Sequence, residues 1–242
     1  MNHAAVLLRM LLAHFVADFL LQRQAGVEER RQKKWKSSWL YVHSALYALV
    51  VYASSLAWDQ VTWLFPLFFV SHALIDGLKT RHVEKAGAFV IDQSAHLGLL
   101  VAAWAVLAPG RFTLIGTVLQ DGLDSPAILL VLTAFLVNLF PVGYLIGYLT
   151  EPLRRQLDSQ KKQGLEKAGF WIGCLERFFV LSFILVGYPE GIAILAGAKS
   201  VFRYGEIKGP EKRVETEYIL IGTLLSYAIA FGSGILVKNL VR

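Results

Sequence analysis

The sequence predicts an all-α fold, a polytopic membrane bundle of about eight transmembrane helices. Its 242 residues are 55% hydrophobic and only 17% charged, and the mean hydropathy is +0.51. Soluble domains carry about 25% charged residues, so this composition is that of a membrane protein. Apolar runs of nearly 20 residues recur along the chain, and that is the length a helix needs to cross a bilayer.

The predicted helices follow the apolar runs and the stop signals between them. Pro109 and Gly110 end the fourth run, and Pro141 is expected to kink the fifth. The seventh helix is short and rich in glycine and alanine, so a re-entrant course and a spanning course both stay open. The eight helices cover residues 4–22, 39–58, 61–79, 89–108, 126–149, 170–187, 190–202 and 217–237. We expect two helical membrane units, 1–110 and 111–242.

Lysine and arginine lie mainly in the loops after predicted helices 1, 3, 5 and 7, the first of which is the loop 23–38. The positive-inside rule therefore places these loops in the cytoplasm and both termini outside. This topology accounts for the net charge of +6. Because no basic motif is interleaved with aromatic residues, no nucleic-acid partner is expected. The single cysteine excludes an internal disulfide and a cysteine-based metal cluster, and the oligomeric state stays open.

Histidine and aspartate recur four residues apart on three predicted helices, a spacing that places both side chains on one helix face. The pairs are His14 with Asp18, His72 with Asp76, and Asp92 with His96. The order reverses on the helix that runs outward, so the histidines lie deep and the aspartates shallow. With His43 they are expected to converge in the cytoplasmic half of the membrane. Ionisable residues inside a membrane are costly and usually face a protein interior or a water-filled cavity.

Imidazole and carboxylate together are the ligands typical of zinc, iron or manganese. We therefore predict a divalent metal ion, its identity open among these three. Its ligands are drawn from His14, Asp18, His72, Asp76, Asp92 and His96. Catalysis is assigned to His43, Asp18 and Asp92, one of which would act as general base. A proton-handling cluster and plain interhelical hydrogen bonding are the alternatives.

Candidate substrate contacts flank this cluster and occur again in the second half of the chain. They are Gln22, Lys79, Gln93, Arg177, Lys199 and Arg203. The first three would contact substrate or orient the ligands, although Lys79 could equally extend to the membrane interface. The last three would bind a phosphate head group, with interhelical salt bridges as the alternative.

Spaced motifs run through both halves of the chain. They are His14-x-x-x-Asp18-Phe19-x-x-Gln22, His43, His72-x-x-x-Asp76-x-x-Lys79, Asp92-Gln93-x-x-His96, Gly173-x-x-Glu176-Arg177, Ala198-Lys199-Ser200-x-Phe202-Arg203 and Glu217-Tyr218-x-Leu-Ile-Gly222-Thr223-Leu-Leu-Ser226. In these motifs the chain resembles, over nearly its whole length, a family of bacterial multi-pass membrane proteins catalogued as a domain of unknown function. The resemblance implies an integral protein of the bacterial inner membrane and supplies no activity. The histidine and aspartate pattern alone is similar to membrane-bound metal-dependent hydrolases.

The leading functional hypothesis is a metal-dependent hydrolase at the cytoplasmic leaflet, because a bound metal ion activates water and polarises a phosphoryl oxygen. Its partners would be membrane lipid and a small amphiphilic or phosphate-bearing substrate, such as a phospholipid or polyprenyl phosphate. The alternative is a proton- or metal-coupled transporter that uses the same cluster. A non-catalytic scaffold is a third reading, and it leaves the histidine and aspartate residues unexplained.

Overall fold

The computed structural model describes residues 3–56, 62–79, 86–106, 125–155, 168–204 and 210–241, and within these ranges it contains helices and no β-strand. This confirms the all-α prediction. The chain forms two compact units, Met1–Thr133 and Ala134–Arg242. The unit boundary that we predicted at residue 110 lies outside the described residues.

Ten α-helices are described, with a π-helical turn Val16–Leu20 after the first and a 3-10 turn Lys34–Lys36 after the second. They are α1 (His3–Phe15), α2 (Gln24–Lys33), α3 (Ser38–Ser55), α4 (Leu64–Lys79), α5 (Ala86–Val106), α6 (Pro126–Leu139), α7 (Pro141–Arg154), α8 (Ala168–Val186), α9 (Glu190–Tyr204) and α10 (Pro210–Val241).

Several of these helices are compatible with a membrane protein. Four described segments are long and apolar enough to cross a bilayer, and a bent pair, Ala4–Leu20 with Gln24–Lys36, would make a fifth. The four segments are Ala86–Val106, Pro126–Arg154, Ala168–Val186 and Glu215–Val241. Eight spans are thus not supported. Serine, histidine and tyrosine residues dilute the apolar sequence of α3, while α4 and α9, with 16 and 15 residues, are shorter than the ~20 that a span requires.

In the first unit, α1, α3, α4 and α5 pack around a shared core. Helix α3 packs against α1 and α4, and α5 packs against α4 and α1. Met10, Tyr47, Phe68 and Leu100, one residue from each helix, are fully buried in this core. Side chains on the inner faces of these four helices therefore meet, and this arrangement positions the polar cluster described below.

Helix α2 is the largest departure from the predicted secondary structure. The stretch 23–38 was expected to be a loop, and that prediction is wrong. The helix follows the preceding helical segment at an angle of 79°. It has no apolar stripe of its own, because seven of its ten residues are charged or glutamine. Contacts with other helices must therefore hold it in place.

Two contacts between glycine and tryptophan anchor this segment. A Cβ atom at Gly26 of α2 would lie 3.3 Å from the Trp39 ring of α3. The Trp35 ring, from the 3-10 turn, lies so close to Gly77 of α4 that a side chain there would overlap it. Only glycine permits such a close approach of a large ring to a helix backbone. The Tyr41 hydroxyl also donates to the Trp35 carbonyl at 3.0 Å.

In the second unit, a buried arginine stabilises the break between α6 and α7. Arg177 of α8 donates from Nε to the carbonyl of Asn138 and from one terminal nitrogen to the carbonyl of Leu139, the latter at 3.0 Å. A Cβ atom at Gly143 would lie 2.6 Å from the guanidinium, so that glycine leaves room for it. The last carbonyls of a helix lack intrahelical partners, and a cation there also interacts well with the helix dipole.

Two further cations contact helix ends in the same way. Arg9, buried in the first unit, donates from Nε to the Ser54 carbonyl at the end of α3, at 3.3 Å. Lys238 donates to the Ile184 carbonyl near the end of α8, at 2.9 Å. These basic residues within apolar helices therefore have structural partners in the backbone.

We predict that Arg177→Gln lowers the free energy of unfolding by about 2–4 kcal/mol, because it removes charge-assisted hydrogen bonds and leaves buried carbonyls unpaired. Arg154→Gln is the control, since Arg154 is exposed and pairs with Glu151 on its own helix, an interaction of about 0.5 kcal/mol. Unfolding in mixed micelles with a denaturing detergent measures both. Equal losses in the two variants would show that Arg177 does not stabilise the break.

Candidate metal centre in the first unit

The structure brings seven of the predicted residues into one buried cluster on the inner faces of α1, α3, α4 and α5 and the π-helical turn. They are His14, Asp18, His43, His72, Asp76, Asp92 and His96. The imidazoles of His14, His72 and His96 are completely inaccessible to solvent. The side chain of Asp18 is only 9% exposed.

His72 lies at the centre of this cluster. Its Nε2 is 3.6 Å from an oxygen of Asp18 and 3.6 Å from an oxygen of Asp76. The same Asp18 oxygen is 3.4 Å from Nε2 of His43. The His96 ring lies with its centroid 4.6 Å from that of His72. Four helical segments thus contribute donor atoms within a few ångströms of one another.

Two sets of three donors are close enough to share a metal ion, with all ligand atoms of a set within 4.8 Å of one another. One set is Asp18, His43 and His72, and the other is His72, Asp76 and His96. Ligands about 2.1 Å from a tetrahedral zinc ion lie about 3.4 Å apart. The distances of 3.4 and 3.6 Å around Asp18 are therefore close to those of a formed site.

Several of the nitrogen and oxygen atoms that could bind a metal ion in this cluster have no hydrogen-bond partner among the described residues. Both ring nitrogens of His72 belong to this group, as do Nε2 of His96 and one oxygen of Asp18. A buried polar atom without a partner costs about 1–3 kcal/mol. The fold accepts this cost at several neighbouring atoms, a pattern that an absent ligand would explain.

The histidine tautomers also leave lone pairs facing inward. Nδ1 of His96 donates to the backbone carbonyl of Asp92 at 2.9 Å, which leaves Nε2 as the unprotonated nitrogen. Nε2 of His14 donates to the side-chain oxygen of Gln93 at 3.2 Å, and its Nδ1 lies 4.0 Å from Asp18. Metal-binding histidines are commonly oriented by such a bond from the second ring nitrogen.

The charges in the cluster do not balance. Asp76 is paired with Arg30 of α2, and Asp92 is paired with Lys79 at 2.6 Å. Within the described part of the unit, the ion-pair partners of Asp18 are histidines alone. With neutral imidazoles, one buried negative charge thus remains without a permanent cation, and the electrostatics favour a bound cation at Asp18.

The structure places the three predicted flanking residues beside the cluster. Gln93 contacts His14 as described above, and Lys79, whose side chain is 40% exposed, reaches Asp92. Gln22 donates to Nε2 of His43 at 3.3 Å. However, the first helical segment ends at Leu20, so the prediction of a helix extending to residue 22 is wrong.

Sequence reasoning missed two members of the cluster. Tyr47 is stacked on His72 with 3.9 Å between ring centroids, and it also contacts the rings of His14 and His96. It follows His43 by four residues, so the spacing used for the histidine and aspartate pairs could have identified it. Arg30 was missed because the segment that carries it was interpreted as a loop.

The basic residues predicted to bind a phosphate group belong to the second unit. Lys199 donates to Glu176 at 2.8 Å and to the hydroxyl of Thr223 at 2.6 Å. Arg177 binds the helix break described above. The side chain of Arg203 lies outside the described part of the structure. A substrate role for these three residues stays a prediction, and the contacts of the first two are sufficient to explain their presence in apolar helices.

Residues 6–117 match the model of one family. Its description is "Protein of unknown function (DUF3307)". The match confirms, for this segment, the predicted resemblance to an uncharacterised family. It contains every residue of the buried cluster, whereas the motifs of the second half lie beyond it. No curated protein and no solved structure matches the chain.

We predict that Tyr47→Phe raises the free energy of unfolding of the metal-free protein by about 1–3 kcal/mol, because the buried Tyr47 hydroxyl has no hydrogen-bond partner among the described residues. Tyr41→Phe is the control of opposite sign, since that hydroxyl is bonded to a carbonyl and its loss costs about 1 kcal/mol. Detergent unfolding of both variants compares them. A loss of stability in Tyr47→Phe would contradict this account of the site.

Proposed function

We propose that this protein is a metal-dependent hydrolase whose ion is bound in the first unit. The uncompensated carboxylate of Asp18, surrounded by imidazoles at distances close to those of a tetrahedral site, is the observation that carries the proposal. Each donor set combines two histidines with one aspartate. Zinc enzymes that hydrolyse peptides use two histidines and one carboxylate and leave a position open for water. Iron and manganese accept the same ligands.

The set formed by Asp18, His43 and His72 suits the ion best, because it contains the unpaired charge. A bound divalent ion would lower the pKa of a coordinated water and polarise the phosphoryl oxygen of the substrate. The water oxygen would form a bond to phosphorus as the bond from phosphorus to the ester oxygen breaks. A carboxylate outside the set, Asp76 or Asp92, would accept the water proton and pass it to the leaving alcohol. In this arrangement His43 would be a ligand instead of the general base, and its Nε2 would exchange the hydrogen bond from Gln22 for the ion.

The proposed substrate is a phosphate ester of an amphiphile. The surface near the cluster exposes large apolar side chains, with Leu20, Leu21 and Val42 exposed by 49%, 42% and 54%. A membrane lipid would satisfy such a surface, and a phosphate ester suits a dipositive centre. We further propose that the protein lies in the bacterial inner membrane with the cluster toward the cytoplasmic leaflet, and the basic residues of α2, which packs beside the cluster, support this orientation.

The test measures metal content and phosphate release together, on full-length protein reconstituted with a phosphatidic acid and a polyprenyl phosphate. We predict a stoichiometric divalent metal and metal-dependent release of phosphate from one of these lipids. Asp18→Asn should lower metal affinity by at least ~100-fold, since changes to residues that only support a ligand already cost about 10–100-fold. Turnover at a fixed metal concentration should fall with it.

Ser71→Ala is the matched control. Ser71 adjoins His72, but its hydroxyl bonds the carbonyl of Leu67 in its own helix, so both metal and turnover should be retained. Absence of stoichiometric metal from the wild type would refute the proposal. Bound metal without hydrolysis, combined with ion flux across vesicles that Asp18→Asn abolishes, would favour the transporter instead.

A further inference from the structure

A small pocket leads from the surface of the first unit to the buried cluster. It lies between the end of the π-helical turn, α2 and α3. Its lining includes His43, which is 6% exposed, and Val42, which is 54% exposed. The pocket therefore joins a proposed metal ligand to the outer surface.

Two arginines belong to the lining of this pocket. Arg30, which is 8% exposed, lines it together with His43, and Arg23, an exposed residue, adds a second guanidinium. Arg30 donates from one terminal nitrogen to Asp76. A guanidinium has five N–H donors in a planar fork, which binds phosphate oxygens in pairs. Hence Arg30 can hold Asp76 and still contact an anion in the pocket.

The rest of the lining is largely apolar. Leu21, Trp39 and Val42 contribute to it, and Leu21 and Val42 are 42% and 54% exposed on the outer surface. A free inorganic anion gains nothing from apolar walls, whereas the first carbons of a lipid chain would pack against them. A lining that combines arginine with apolar side chains thus fits a phosphate group that is attached to a lipid.

We propose that this pocket binds the phosphate head group of an anionic membrane lipid, with Arg30 as the residue that recognises the phosphate. The inference rests on the proposed function in that it names the substrate site beside the metal. The sequence had predicted that Arg177, Lys199 and Arg203 of the second unit bind the phosphate. The present proposal assigns that role to Arg30 of α2 instead. A divalent ion held by Asp18, His43 and His72 would add positive charge close to the pocket, which His43 lines, so metal loading should strengthen binding of the phosphate.

The test measures equilibrium binding of a fluorescent short-chain phosphatidic acid to the full-length protein in phosphatidylcholine nanodiscs, with and without metal. Arg30→Gln should weaken binding about tenfold or more, because a hydrogen bond to a charged group is lost. Arg31→Gln is the matched control, since it removes the same charge from the next position of α2, which is exposed and does not line the pocket. Its affinity should stay within about twofold of the wild type.

A second variant fills the pocket without altering charge, in case loss of the Arg30–Asp76 pair unfolds the protein. Val42→Phe introduces a ring at an exposed lining position and should also weaken lipid binding by at least ~10-fold. Val70→Phe is its control, since Val70 of α4 is 52% exposed and does not line the pocket. Arg30→Lys, which keeps the charge but not the fork, should give intermediate affinity.

Unchanged binding in a folded Arg30→Gln variant, or in Val42→Phe, would overturn the inference. Inorganic phosphate that binds as tightly as the lipid would overturn the assignment to a lipid head group. The readout is binding and not turnover, so it separates the two proposals. Lipid binding that depends on Arg30 in a protein that takes up no stoichiometric metal would refute the hydrolase and leave this pocket intact.

Discussion

The rest of this structure depends on one constraint: histidine nitrogens and aspartate oxygens are buried without a hydrogen-bond partner among the described residues. His72 occupies the centre of an apolar helical unit, and neither of its ring nitrogens has a hydrogen-bond partner among the described residues. If such a polar group stood alone, an apolar side chain in its place would stabilise the fold, because the cost of burying a polar atom without a hydrogen bond would disappear. Here Nε2 of the neighbouring His96 and one oxygen of Asp18 also have no hydrogen-bond partner among the described residues. Such a concentration is typical of a site whose ligand completes it.

Asp18 differs from other buried carboxylates among the described residues, which have a lysine or arginine as ion-pair partner. Asp76 and Asp92 each have a permanent cation, and Glu176 of the second unit is paired with Lys199. Three further cations, Arg9, Arg177 and Lys238, contact backbone carbonyls at helix ends. Against this background Asp18, whose ion-pair partners among the described residues are histidines, is best explained as a cation ligand, because desolvated charge is otherwise strongly unfavourable.

The sequence predicted the cluster because helical spacing is a local property. Steps of four residues place His72 and Asp76 on one face whatever the rest of the chain does. The position of α2 could not be predicted in this way, since it depends on contacts with distant segments, such as Trp35 against Gly77. The role of Arg177 could not be predicted either. The sequence shows a charged residue within an apolar helix, and only the structure shows the carbonyls that it binds.

The central claim is that histidine nitrogens and aspartate oxygens of the first unit bind a metal ion. X-ray absorption at the metal edge of the purified protein tests it most directly. The account predicts a shell of nitrogen and oxygen atoms at about 2.0–2.2 Å, with the outer-shell scattering of at least two imidazoles. This scattering should weaken in the His72→Ala variant. A sulfur shell, an ion without imidazole scattering, or a spectrum unchanged by loss of His72 would contradict the claim.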